Sequence, residues 1–356
     1  LEKEKDLDAV YVMTPDHLHA TVAVAAMKKG LNVIGHKPIS NIYHETRLAV
    51  ETARKTGVAT HMFCSADLQT TSLLSEWIWS GAIGPVREVH NWSSRPFWPQ
   101  GMNEFPEGVP VPKGLDWKLW LGPVPDMPYN PALTHAVFRG WYDFGAGSLG
   151  DMGHYSLFQI FKILKLGFPL TVEASSSQYW AIVDYLWKKQ EQHVAYPRSS
   201  MIRWEFAARE DMPPVALHWY DGGIRPPLLS GLEEDGKPMP AEGLLFVGDE
   251  GKILAGFSGS DPKLIPSGKM TAFKQPPQTL PRPKDELSQW IDACRGGPPS
   301  GASYDQIFPF CETICLGNVA LRVNKKLQWD ADGKQFRNST DANQLLKRKY
   351  RPGWEL

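Results

Sequence analysis

The first 64 residues alternate strand-length and helix-length runs, and this narrows the fold more than any other feature of the chain. Residues 7–13 (LDAVYVM) make a short apolar run suited to a strand buried on both faces. Thr14–Pro15–Asp16 breaks the run and opens a helix, with Pro15 near its first turn and Gly30 at its end. Residues 31–34 predict a second strand, residues 43–55 a second helix ended by Gly57, and residues 58–63 a third strand. Strand–helix–strand–helix–strand within about 60 residues predicts a right-handed parallel α/β unit, equivalent to half of a doubly wound nucleotide-binding domain. The glycine-rich fingerprint that opens such a domain, GxGxxG after a strand, does not occur here, and no acidic residue can be assigned to a ribose. A three-stranded half-sheet leaves one edge exposed. The expectation is therefore roughly 100 residues upstream of Leu1, with completion by another subunit as the alternative.

The 356 residues suit about two domains of roughly 150 residues each. The expected division is 1–64 as the parallel α/β part, 65–330 as an α+β domain, and 331–356 as a polar tail wrapping the surface. Residues 68–80 predict a helix and 86–92 a strand. Residues 95–131, rich in Pro, Gly and Trp, show no periodicity. A loop this long is either functional or a wrap held by aromatic contacts. Strand-like runs follow at 171–177, 201–207, 215–220, 243–247 and 252–257, with Asp249–Glu250–Gly251 as a hairpin turn. Ile202, Trp204 and Phe206 alternate with Arg203 and Glu205, as in a sheet with one wet face. Helices are expected over 284–294 and 304–323. The sum is an open, mostly antiparallel sheet covered on one side by helices.

Composition removes several function classes. A net charge of −1 offers no long-range attraction for nucleic acid or an anionic membrane, and the Lys347–Arg348–Lys349 run is expected to be solvated. No apolar run approaches the ~20 residues of a membrane helix. Cys64, Cys294, Cys311 and Cys315 form no CxxC pair, and Cys311 and Cys315 read as core thiols. His17 and His19 form an HxH pair on a helix-opening turn with no completing Cys, so no metal site is expected. Fourteen tryptophans suit a core, and also the apolar faces of sugar rings.

Chemistry concentrates in two stretches. Residues 141–166 (WYDFGAGSLGDMGHYSLFQIFKILKL) run from a glycine-rich loop into an apolar helix. Asp151, His154 and Tyr155 stand at the junction and project together from the expected first turn, beside its unpaired N–H groups. A carboxylate, an imidazole and a phenol so placed can move a proton and stabilise an alkoxide; the alternative is Asp151 as a helix cap. The second stretch, Gly35–His36–Lys37–Pro38, puts a lysine at the carboxyl end of a strand, where α/β folds bind ligands. Pro38 holds Lys37 extended.

TPDHLHA at 14–20, HKP at 36–38, GAIGPVREVH at 81–90, GSLGDMG at 147–153 and NVALRVNKKLQWD at 318–330 occur in that order. The series resembles the Gfo/Idh/MocA family of nicotinamide-dependent oxidoreductases over essentially the whole chain, apart from the family's N-terminal dinucleotide-binding half. The resemblance implies NAD or NADP as cofactor, a carbohydrate or cyclitol substrate, and a homo-oligomer formed through the open sheet. It implies that Lys37 contacts the reacting hydroxyl, that Asp151 orients it, and that Thr14, Pro15, His19, His36 and Pro38 lie along the cofactor. Arg95, Trp98, Gln100 and His154 fall on the substrate side. Two departures stand out. His36 occupies the family's usual Glu, so the carboxylate that would favour a charged Lys37 is missing. Tyr155 occupies the usual His of Asp-x-x-x-His, and His154 precedes it. A phenol ordinarily titrates at about 10, and a lysine beside it stabilises the phenolate. Tyr155 is thus the preferred proton-transfer group over His154, which projects roughly 100° away on the helix.

Three functions are compatible with these residues. The first is an NAD(P)-dependent dehydrogenase acting on a sugar or cyclitol hydroxyl. The second is a glycosidase that retains NAD and oxidises its substrate only transiently. The third is a non-catalytic binding protein on the same fold. Both a cytoplasmic and a periplasmic location are open.

Overall fold

The computed structural model describes residues 3–64, 68–190, 193–283 and 285–356. Its N-terminal part is β1 (Ala9–Val12), α1 (Asp16–Lys28), β2 (Asn32–His36), α2 (Tyr43–Thr56) and β3 (Thr60–Phe63). The three strands are parallel in the order β1-β2-β3, with Val10 opposite Val33 and Ile34 opposite His61. Val33 and Ile34 of the central strand are buried, as a strand covered on both faces requires. Asn32 ties the three strand entrances together, donating to Asp8 O and accepting from Ala59 N. Gly57 closes α2 in the left-handed region, which its φ of 70° reserves for residues like glycine.

The chain then runs α3 (Leu68–Trp79), β4 (Val86–Trp92), α4 (Trp117–Leu121), two 3-10 turns (Pro131–Leu133 and His135–Gly140), α5 (Gly147–Ile163), β5 (Thr171–Ser176), β6 (Tyr179–Val183), β7 (Leu186–Gln190), β8 (Ser200–Phe206) and β9 (Val215–Tyr220). After α6 (Ser230–Glu234) come β10 (Gly243–Gly248), β11 (Lys252–Ala255), β12 (Lys263–Ile265), α7 (Ser267–Ala272), α8 (Glu286–Cys294), α9 (Phe308–Val323), β13 (Leu327–Asp330), β14 (Gln335–Phe336) and α10 (Thr340–Gln344). Among the described residues nine strands form one sheet, β12-β11-β10-β4-β9-β8-β5-β13-β14, antiparallel except at β4–β9. The expected open, mostly antiparallel sheet is present.

Period-two alternation decides its two faces. Val89, Ile202, Trp204, Leu217, Trp219 and Phe246 are buried in the main core, which also takes in Leu149, Leu157 and Ile160 of α5 and Ile314 and Leu316 of α9. Each such large side chain contributes about 1.5–3 kcal/mol on full burial. Arg203 and Glu205, which alternate with them, are partly exposed. Toward β10–β12 the outer face is covered: Trp92, Tyr220 and Leu245 pack with Leu232 of α6 and Met239.

Several expectations change. Helix α5 starts at Gly147, so Asp151 lies in its second turn and does not use the free N–H groups of the first. The 95–131 segment contains α4 and joins an aromatic cluster with the turns that follow it: Trp117 and Tyr129 pack with Phe138, Trp141 and Phe144, and Trp117 stacks on Trp120 at 4.9 Å. Residues 179–190 form a hairpin that periodicity did not suggest. The tail is less superficial than its polarity implied. Phe336 and Leu346 are buried in the main core, and the Arg348 side chain is buried against Glu45, with Nε 2.6 Å from Oε1. Arg348 is thus an internal cation, not a solvated one. Lys284, the expected start of α8, lies outside the described residues; the helix begins at Glu286 behind an Asp285 cap. Cys64, Cys311 and Cys315 are buried free thiols.

Candidate active site

Lys37 follows directly on β2, and its backbone N–H donates to Phe63 O at the end of β3. Its side chain is buried and crosses to α5, where Nζ donates to the Asp151 carboxylate and, at 2.6 Å, to the Asp151 carbonyl. Tyr155 stands one turn further along the same helix face, with its ring centroid 4.6 Å from Lys37 Nζ. The parallel unit and the α/β sheet domain therefore meet at Lys37, Asp151 and Tyr155.

Two residues that sequence reasoning missed complete the cluster. Arg139, in the 3-10 turn before the glycine loop, donates from Nε to Asp151 Oδ1 at 3.0 Å. Asp16 is buried at the start of α1 and accepts from Ala146 N at 3.1 Å. A lone Arg in an aperiodic loop carries no spacing signal. Asp16 did stand within TPDHLHA, but an acidic residue at a helix start reads first as a cap. The glycine loop sets Arg139 in place. A Cβ on Gly145 would lie 2.3 Å from Arg139 Cα, so a side chain there would displace that turn. Asn41 donates to Tyr142 O and Gly145 O and fastens the same loop to the segment between β2 and α2.

The charges are unequal in effect. Burial alone would raise the Asp151 carboxyl, but Lys37 and then Arg139, through charge and hydrogen bonds, hold it below the usual carboxylate range. Asp16 is pushed up to about 7, chiefly by burial; Lys37 opposes the rise and Asp151 adds to it. His36, half-buried beside Lys37, is lowered by burial and by the lysine's charge, so it is neutral near pH 7.

His154 faces the other way. It is buried, its Nδ1 sits 2.5 Å from Gly150 O, and its ring meets the edge of Phe310 at 5.2 Å. Burial pushes it down to about 3, so it is a neutral core residue at ordinary pH. His19 is likewise internal, with Nδ1 2.6 Å from Pro38 O and Nε2 2.5 Å from Thr14 O. It clamps the turn after β1 to the turn after β2, and a neutral ring donates to one of these carbonyls. Thr14 is exposed, Pro15 partly so, and Pro38 is buried behind Lys37. His17 does not converge with His19; its Nε2 contacts Trp120 O at 2.8 Å.

The residues expected on the substrate side divide. Trp98 and Gln100 line a cavity of about 990 Å³ with Phe105, Trp141, Tyr179 and Arg198. Gln100 is tied up there, donating to Pro197 O and accepting from the Trp98 indole. Arg95 points elsewhere, paired with Glu242 at 3.0 Å and lying over Phe97. Lys37, Asp151 and Tyr155 do not line this cavity.

A parallel nucleotide-type α/β unit joined to an open mixed sheet, with a Lys–Asp–Tyr cluster between them, is a two-part oxidoreductase architecture. Family profiles agree along the chain. The NAD-binding Rossmann fold of the Gfo/Idh/MocA oxidoreductases matches residues 1–63, and that family's C-terminal alpha/beta domain matches 80–196 and 228–356. The chain belongs to the Gfo/Idh/MocA oxidoreductase family. Levoglucosan dehydrogenase of Pseudarthrobacter phenanthrenivorans is 28% identical over 100 residues, which is 26% of this chain and 25% of that protein. The match thus spans about a quarter of that curated relative. The aldose-aldose oxidoreductase of Caulobacter crescentus shares the fold at a TM-score of 0.53 and 17% identity, covering 92% of this chain and 81% of that one. The WlbA dehydrogenase of Chromobactrium violaceum, solved with NADH and UDP-GlcNAcA, does so at 0.58 and 14%, covering 93% and 80%.

Proposed function

We propose that the protein is an NAD(P)-linked oxidoreductase acting on a hydroxyl of a sugar, glycoside or cyclitol. The observation that carries this reading is the buried Lys37 ammonium held between the Asp151 carboxylate and the Tyr155 ring, at the carboxyl end of a parallel strand.

The turns after β1 and β2 suit a nicotinamide cofactor. Thr14 and Pro15 offer an accessible surface there, His36 a neutral ring and Lys37 a positive charge, with His19 clamping the two turns from beneath. Bound NAD or NADP would accept hydride from the carbon bearing the hydroxyl. Tyr155 in its phenolate form takes the hydroxyl proton and becomes a phenol, and Lys37 stabilises the phenolate and then the developing alkoxide. Asp151 anchors Lys37, while Arg139 offsets the carboxylate's charge so that Lys37 is not fully neutralised. Trp98, Phe105 and Tyr179 offer aromatic faces for the apolar face of a sugar ring within the cavity they line. The same reading pairs two copies through the open outer face of the sheet, where Met201 is 40% exposed. No helix among the described residues is long and apolar enough to cross a membrane.

The test begins with protein purified without added nucleotide, denatured, and its supernatant analysed for NAD and NADP by mass spectrometry. The protein is then titrated with both nucleotides and assayed against sugars and cyclitols. Nucleotide binding with substrate-dependent NAD(P)H formation is expected. Retained nucleotide with glycoside cleavage and no net reduction would replace the dehydrogenase reading by a transient-oxidation glycosidase. Failure to bind either nucleotide would overturn both in favour of a non-catalytic protein.

A further inference from the structure

On the outer sheet face, away from this centre, Glu88 and His90 of β4 and His218 of β9 bring one ligand atom each to within 4.8 Å of one another. The arrangement follows from strand geometry. Residues 88 and 90 are two apart and share a face, and His218 is the direct cross-strand partner of His90 in the parallel β4–β9 pair. Asn91, next after His90 on the strand, faces the other side and accepts from Ser156 of α5, so His90 points to the side opposite the helix that carries Asp151 and Tyr155.

We propose that Glu88, His90 and His218 form a site for a divalent transition-metal cation of the zinc type. Two imidazoles and a carboxylate are a known zinc donor set, and three protein ligands leave one position open. His90 Nε2 and Glu88 Oε2 are already 3.2 Å apart. Ligands at about 2.0–2.1 Å from a tetrahedral zinc stand about 3.3 Å from one another. The third ligand, His218, lies at most roughly 1.5 Å beyond that spacing, a gap that rotation of its ring and of the exposed Glu88 side chain would close.

His90 Nδ1 shares a 2.9 Å hydrogen bond with the Tyr220 hydroxyl. Without metal, His90 Nε2–H donates to Glu88 Oε2 at 3.2 Å and Nδ1 accepts from Tyr220; a metal at Nε2 would move the ring proton to Nδ1, which then donates to the Tyr220 oxygen, the outer-shell arrangement of metal-bound histidines. His218 makes no hydrogen bond among the described residues. It stacks on His90 at 4.6 Å with the planes 14° apart, and ligation of a common ion would turn its ring out of this stack. The nearest opposing charge, Arg203 across from His218, is taken up by Glu205 at 2.5 Å. Sequence spacing could not show this set, because His218 lies far along the chain from Glu88-x-His90.

The test is titration of the chelator-stripped protein with Co(II), read by the visible bands of a low-symmetry cobalt site, and competition by Zn(II). One equivalent is expected, displaced by zinc. His218→Ala and His90→Gln should abolish the bands, and Glu88→Gln, an isostere at an exposed position, should weaken binding without altering the far-UV dichroism. Tyr220→Phe should cost about 10–100-fold in affinity. Absence of the bands in the unaltered protein, or bands that persist in both histidine variants, would overturn the proposal. Neither readout depends on turnover at Lys37.

Discussion

The Nζ of Lys37 lies 4.6 Å from the centroid of the Tyr155 ring, although the two residues come from different parts of the fold. The cation is held there by the Asp151 side chain and carbonyl, on the helix that also carries Tyr155. One helix face therefore sets both the Tyr155 phenol and the position of the Lys37 charge beside it.

The first prediction separates Tyr155 from its neighbour. Tyr155→Phe removes the phenol and should lower kcat by about 10²–10⁴-fold, the range for loss of a general acid–base group. His154→Gln keeps a donor toward Gly150 O and should leave kcat within a few-fold. Steady-state kinetics on both variants decides, and equal losses would return proton transfer to His154.

The buried pair should respond asymmetrically to removal of either partner. Lys37→Met leaves Asp151 still bound by Arg139, so the protein should fold with modest loss of stability but at least a hundredfold loss of kcat. Asp151→Asn strands a buried ammonium and should cost about 3–5 kcal/mol. Urea unfolding of the two variants checks the order; a larger loss for Lys37→Met would contradict it.

Asp16 should give a stability slope opposite in sign to that of a salt-bridged carboxylate. Its carboxyl titrates at 3.8 when exposed and at about 7 in the fold, chiefly because of burial. Between these values the folded state holds the proton more tightly, so this group's contribution falls as pH rises through the window. Asp16→Asn, whose side-chain oxygen can still accept from Ala146 N, should remove that slope and raise Tm at pH 8 relative to the unaltered protein. Thermal melts from pH 4 to pH 8 read it directly, and an unchanged slope would exclude Asp16 as its source.

His154 shapes the acid limb. Its folded value of about 3 lies below the ordinary 6.5, because burial disfavours the charged ring. The unfolded chain binds the proton first, so stability should drop as pH falls from 6.5 toward 3. His154→Gln should flatten this limb in urea midpoints measured across that range.

Arg348 should be structural despite its basic neighbours. Glu45 is fully buried, and its Oε2 also accepts from Ser40. Arg348→Met would leave that carboxylate without its cation and should destabilise the protein by about 3–5 kcal/mol, seen as a lower urea midpoint. A variant as stable as the unaltered protein would show that Ser40 suffices.

Local pattern was enough to reveal the parallel β1–α1–β2–α2–β3 unit, the alternation of β8, and the placement of Lys37 at a strand's carboxyl end. In each case the governing interactions lie within a few residues: Gly30 and Gly57 stop helices, and period two separates Trp204 from Arg203 and Glu205. It also marked Asp151 and Tyr155 as one helix face, because i and i+4 coincide on any helix. Tertiary structure alone decided where α5 begins, that Arg139 and Asp16 join Asp151, that His154 turns to Phe310, and that Arg348 leaves solvent for Glu45. The same holds for Glu88 and His90 meeting His218. Those outcomes depend on which distant surfaces pack together and on what burial does to a charge, and no periodicity in the chain encodes either.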